Sequence, residues 1–402
     1  MEKRMIWPPK VILQTPLGIM RDGTGNWLPR DIGKSSQFSN GHVVVQFGDT
    51  FDHDPNGNFL GVRDNTCAII PDNNNPTLSK YKLDSKDEVP VFVHQRPKEF
   101  AIPTKFWSFS GIIEVEGDQT RKCHHEKGII HGYTWFKITR MTGMDETYLR
   151  MGVAKVEYDS RSRQIRAIKP TPGIENVGLA QSHESLSNVE LKSATLPSFG
   201  SITALRVDDF IYLYGQILDA DKDVVLARIR ISCPTPYTYW TGTGWSAFPA
   251  DCRPIMSHIE HGQIFHTTIF GANSLYKYMF VGCSSFGDSK ILMARAKSPE
   301  GPWDDGWVLN DADLYNSDPN KPPTGPFFYC IYPHPWALGF DGVESDGMSK
   351  TGDFMISWSE GGLVGGVLAA SFRFNMEVKR IADPDDEPVK RGGDVKWSCG
   401  PN

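Results

Sequence analysis

Short apolar runs separated by turn-forming residues recur along the chain, and no stretch carries the sustained apolar stripe of a long amphipathic helix. Five runs share one character: NTCAIIPD near 65, MGVAKVEYD near 151, VVLARIRIS near 224, ILMARAKSP near 291 and GVLAASFRF near 366. Each is preceded by hairpin-like sequence, as in GHVVVQFGD, TWFKITRM, FHTTIFGANSLYKYMFVGC and FMISWSE. The third unit is the plainest, with SITALRV and FIYLYGQ flanking Asp208-Asp209 as the turn. A spacing of roughly 65 to 85 residues suits a four-stranded blade with decorated loops. The pattern therefore predicts an all-β, five-bladed β-propeller of four-stranded antiparallel blades. Its blades span about 30–72, 104–170, 195–248, 255–305 and 326–380, in one domain followed by a charged tail at 381–402. A β-sandwich pair with coincidental spacing is the competing architecture.

In a propeller the innermost strands line a central channel, so the residues that open them line a pocket at one end. Those openings are read as Asp31 to Gly33, His131 to Trp135, Phe199 to Ser201, Gly262 to His266 and Tyr332 to His334. Asn40-Gly41 is the dipeptide of a two-residue hairpin turn. With that turn Asp49 lies opposite Ile32, beside Asp31, and the loop from Thr50 to Asp64 returns the chain to the same rim at Asn65.

Two carboxylates at one mouth are the minimal equipment for acid/base cleavage of a glycosidic bond. Asp31 and Asp49 are thus the expected catalytic pair, against the plainer reading in which each caps a turn through backbone N–H groups. Arg30, Asn65, Trp107, Trp135, Ser201, His266 and His334 are the expected substrate-binding residues, since they lie at predicted strand ends or loops. Trp303 and Trp358 read as blade packing.

Composition narrows the partners. With 402 residues and a net charge of −6, nothing favours nucleic acid or an anionic membrane, and a small-molecule or oligosaccharide substrate fits better. Seven cysteines lack metal spacing and read mostly as buried thiols, with a disulfide from Cys399 as one option. Neither His258/His261/His266 nor Cys123-His124-His125-Glu126 has helical HExxH spacing, so no metal and no cofactor is expected. No Walker loop, GxGxxG or serine elbow is present. The opening MEKRMIWPPKVIL is interrupted by Pro8, Pro9 and Lys10, which predicts a cytosolic chain or one whose leader has been removed.

RDIGKS, QFGDTF, DNT, ARAKSPEGPW and IYPHP followed by MISWSE together resemble the five-bladed propeller family of bacterial endo-D-arabinanases, glycoside hydrolase family 183. The likeness runs from about Arg30 to Phe374. It implies an anomer-inverting hydrolase in which Asp31 and Asp49 are the catalytic pair. The chain departs from the family at Asp64, where relatives usually carry a small residue, and in insertions around 84–103 and 116–131. Two other functions suit the same fold: a fungal secondary-metabolism pericyclase of the hetero-Diels–Alderase kind holding a hydrophobic substrate, and a sugar-binding propeller without chemistry.

Overall fold

The computed structural model describes residues 2–24, 28–54, 56–96, 103–116, 128–143, 145–169, 197–217, 222–287, 290–304, 306–309, 328–340, 352–361, 365–380 and 398–399. Among them the chain is all β, with a single 3-10 turn at Pro249–Asp251 and no helix long and apolar enough to cross a membrane. Five sheets form the blades of a five-bladed β-propeller.

Blade 1 runs from Arg30–Gln37 to Val43–His53, whose first half then pairs with Thr66–Ile70 and whose second half pairs with Phe59–Arg63. In blade 2, Thr104–Trp107 and Ile112–Glu116 lie end to end along one edge of Ile129–Thr142, followed by Asp145–Asp159 and Gln164–Ile168. Blade 3 begins at Thr203–Val207 and Phe210–Gln216, with Val207 paired to Phe210 across the expected Asp208-Asp209 turn. Blade 4 is His261–His266, Tyr278–Cys283, Ile291–Ala296 and Trp307–Leu309, with Ser398–Cys399 added in parallel. Blade 5 takes its inner strands from Phe328–His334, Asp353–Glu360 and Gly366–Phe374, and its outer strand from the other end of the chain, Val11–Ile19.

Blade packing explains why the strands read as continuous apolar runs. Side chains alternate faces along a strand. In blade 1, Val43, Val45 and Phe47 pack against Met355 and Val367 of blade 5, while Val44 packs against Phe106 and Phe136 of blade 2. Each of the other three junctions has its own core, through Trp135 and Leu213, Leu226 and Phe280, and Met279 and Phe354. A strand buried on both faces shows no alternation.

Two local expectations are corrected. The Asn40-Gly41 turn is a three-residue loop, closed by the Phe38 N–H to the His42 carbonyl at 2.9 Å, with Gly41 at φ 81. A type I turn followed by one left-handed glycine needs a positive φ at only one position, so the pairing shifts by one residue. In blade 2 the inner position is held by Thr104–Trp107 and Ile112–Glu116, and the stretch from His131 to Trp135 belongs to the second strand. The break at Ser108–Gly111, with Gly111 at φ 78, hides that inner strand from any periodicity.

On the axis, the five inner strands meet around Lys34. Its Nζ donates to the carbonyls of Ile202 at 2.9 Å and Gly262 at 3.1 Å and faces the Tyr332 ring at 4.9 Å, while its stem passes Gly111. Burial pushes its pKa well below the usual lysine value.

Candidate active site

The first two strands of blade 1 are out of step at the pocket end. Arg30 pairs with Thr50 and Ile32 with Phe47, which leaves Asp31 facing the two residues Gly48 and Asp49. This is a β-bulge, a device that re-aims a side chain. Ile32 and Gly33 complete it with φ of 71 and 77. A positive φ at a β-branched residue is strained and is kept only where its surroundings hold it; here the Ile32 N–H donates to Ser359 Oγ at 2.9 Å. Gly48 has no room for a side chain, since a Cβ there would stand 2.4 Å from Asp31 Oδ1.

The two aspartates have different surroundings. Asp49 accepts hydrogen bonds from the Lys105 ammonium and, at 3.2 Å, from the Trp107 indole N–H. Asp31 accepts from the Tyr329 hydroxyl at 3.3 Å, and its Oδ1 is buried without a partner. Burial first, and the neighbouring Asp49 charge second, push the Asp31 pKa up to about 7. Asp64 is a third carboxylate at the same rim. It accepts from the Phe106 N–H at 2.7 Å and the Asn65 amide at 2.9 Å, and burial raises its pKa to about 6.

An apolar floor lies beneath the acids: Ile32, Phe109, Tyr329, Cys330 and Tyr332, with Trp107 packed against them. Cys330 repeats the feature of Ile32, with φ 52 at an irregularity in the inner strand of blade 5. Phe286, 56% exposed, leans on the Tyr329 ring with centroids 4.5 Å apart.

Of the residues singled out in the sequence, the structure brings together Asp31, Asp49 and Trp107. Asn65 stands beside them, but its amide oxygen accepts from the Val93 N–H at 2.6 Å and anchors the following loop. Arg30 is buried over the Phe47 ring at 3.7 Å and donates to the Met20 carbonyl and to Ser79 Oγ. Trp135, on the second strand, is buried between blades 2 and 3 and donates to Tyr237. Ser201 is buried against Ser198 at 2.7 Å. His266 and His334 end their inner strands, away from the end that carries the acids. His334 is buried between Ser35 and Ser357 at 2.7 and 2.8 Å, and His266 packs edge-on to Tyr278. The Cys123–Glu126 stretch and the charged tail from 382 to 394 lie outside the described residues. Among the described residues no cluster of His, Cys, Asp and Glu is placed to hold a metal ion.

The sequence matches the family described as "Domain of unknown function (DUF5005)" over residues 21–318. The chain belongs to that family. No curated protein matches this DUF5005 chain. Among solved structures it is similar to several at low identity. A Bacteroides ovatus protein whose hydrolase designation is provisional aligns at 15% identity and TM-score 0.49, over 86% of this chain and 85% of its own. The native Bacillus subtilis arabinanase aligns at 10% identity and TM-score 0.42, over 89% and 96% respectively. A family 43 β-xylosidase/α-arabinofuranosidase from a compost microbial metagenome gives 12% and 0.39, over 90% and 94%.

Sequence reasoning passed over Lys105 and Tyr329 in this DUF5005 chain, and took Asp64 only as a departure from a family pattern. Asp64 was legible in DNT, one residue before Asn65. The others come from blades distant in sequence and carry no local signal.

Proposed function

We propose that this protein is a glycoside hydrolase using Asp31 as general acid and Asp49 as general base. One observation supports this most directly: a single bulge sets Asp31 beside Asp49, with Asp31 buried and its pKa pushed up to about 7. Asp31, buried beside a like charge, keeps its proton near neutral pH and can deliver it to a leaving glycosidic oxygen. Asp49, gripped by Lys105 and Trp107, presents a carboxylate that can take a proton from water. Trp107 and the exposed Phe286 ring offer faces on which a sugar can stack. The motif likeness to the endo-D-arabinanases favours a furanosidic linkage and inversion at the anomeric carbon.

The density of charge at the mouth suits a hydroxylated ligand better than the hydrophobic partners of a pericyclase. The deciding experiment is product analysis. Arabinans and aryl furanosides are incubated with the wild type, Asp31→Asn and Asp49→Asn, with the anomer first formed followed by NMR. Hydrolysis lost in both variants supports the assignment, and turnover retained in either one overturns it.

A further inference from the structure

Across the axis from the acids, His261 opens the inner strand of blade 4, with Glu260 immediately before it. Glu260 is tied down at its backbone, its N–H donating to the Cys283 carbonyl at 2.8 Å, and at Oε2 by the Lys222 ammonium. Its Oε1 has no hydrogen-bond partner among the described residues. His261 lies against Phe109 with ring centroids 5.2 Å apart and interplanar angle 35°. Its Nδ1 is buried and unpartnered. Phe109 belongs to the apolar floor that also carries Tyr329, the donor to Asp31. The two walls therefore share one floor, and the charges of Asp49 and Glu260 both act on Glu146.

A buried ring nitrogen with no partner is costly unless a ligand satisfies it. Burial holds His261 down to about 4, so it stands as a neutral imidazole, one nitrogen donating and the other accepting. Beside it Glu260 offers a fixed acceptor. Adjacent donor and acceptor positions match vicinal hydroxyls, each of which can both give and take a hydrogen bond. The carboxylates around the mouth, Asp49, Asp64, Glu146 and Glu260, outnumber the cations Lys105, Lys137 and Lys222, a balance that disfavours an anionic ligand.

We propose that Glu260 and His261 form a hydroxyl-reading wall that positions a neutral polyhydroxylated ring, seated on Phe109 and Trp107, against the Asp31–Asp49 pair. This assignment rests on the hydrolase reading for its orientation towards the acids, and its test does not depend on turnover.

The test is calorimetric titration of the Asp49→Asn protein with neutral arabino- and xylo-oligosaccharides and with oligogalacturonate as the anionic counterpart. At least one neutral oligosaccharide is expected to bind. His261→Leu or Glu260→Gln added to that background should weaken binding 10- to 100-fold, and His261→Gln, which keeps a neutral donor and acceptor, should restore most of it. In otherwise wild-type protein the same changes should raise KM more than they lower kcat. Thermal melts of every variant separate a misfolded protein from a weakened site. The wall is overturned if no neutral oligosaccharide binds, if the His261→Leu protein binds unchanged, or if oligogalacturonate binds more tightly. Binding that follows this pattern without hydrolysis by the wild type would uphold the wall and sink the catalytic reading alone.

Discussion

Tyr329, on the inner strand of blade 5, donates its phenolic hydrogen bond to Asp31 of blade 1 at 3.3 Å. That bond favours the ionised carboxylate and so opposes the burial that keeps Asp31 protonated. Tyr329→Phe is expected to move the alkaline limb of the kcat/KM profile to higher pH and to cost about 1 kcal/mol of stability. A pH–rate series beside a urea titration checks both.

Wild-type activity should fall as pH rises through about 7, where Asp31 loses the proton it must donate. An alkaline limb centred well away from that value would remove Asp31 from the acid role.

The same residue should couple stability to pH. Asp31 ionises at 3.8 when unfolded and at about 7 in the fold, so between those values the unfolded chain holds fewer protons than the native one. Stability from this group is complete below 3.8 and is lost as pH rises through about 7. Asp31→Asn should therefore lower kcat by about 10²–10⁴-fold. At pH 8 it should also raise stability, by a few kcal/mol at most. Chemical denaturation of both proteins across the pH range tests the crossover.

Gly48→Ala probes the bulge itself. The added methyl would meet Asp31 Oδ1 at 2.4 Å and Ile32 Cδ1 at 2.6 Å. A stability loss of about 1–3 kcal/mol is expected, with a fall in kcat of about 10²-fold from misplacing the acid. Activity near the wild type would show that the catalytic geometry does not rest on this approach.

Lys34 sits where the blades meet, and its neutral form is favoured by burial. Below the ordinary value of 10.5 and above the depressed native one, the unfolded chain carries the extra proton, so wild-type stability rises with pH in that window. Lys34→Met should abolish that slope and leave the Ile202 and Gly262 carbonyls without their donor, at a cost of about 1–3 kcal/mol near pH 7. Comparing the slopes of unfolding free energy between pH 7 and 10 for the two proteins checks it.

How much of this was legible in the sequence follows from which interactions are local. Runs such as VVVQF and FIYLYGQ announce strands because both faces are buried between blades, and their spacing announces the ring. Asp31 and Asp49 were legible because they share one hairpin. The turn was misread by one residue, yet the acids still meet, because the bulge at Ile32 and Gly33 absorbs the difference. Trp135 was misplaced because the true inner strand of blade 2 is short and interrupted. Lys105 and Tyr329 lie 56 and 298 residues from the aspartates they bind, and nothing local marks such pairs.

The pairing of Val11–Ile19 with Gly366–Phe374 makes this protein's closure a late event in its biogenesis. On the ribosome Val11–Ile19 has no blade edge to join until Gly366–Phe374, more than three hundred residues later, has been made. Cutting away Val11–Ile19 should therefore expose the edge of blade 5 and loosen the sheet that carries Tyr329 to Asp31.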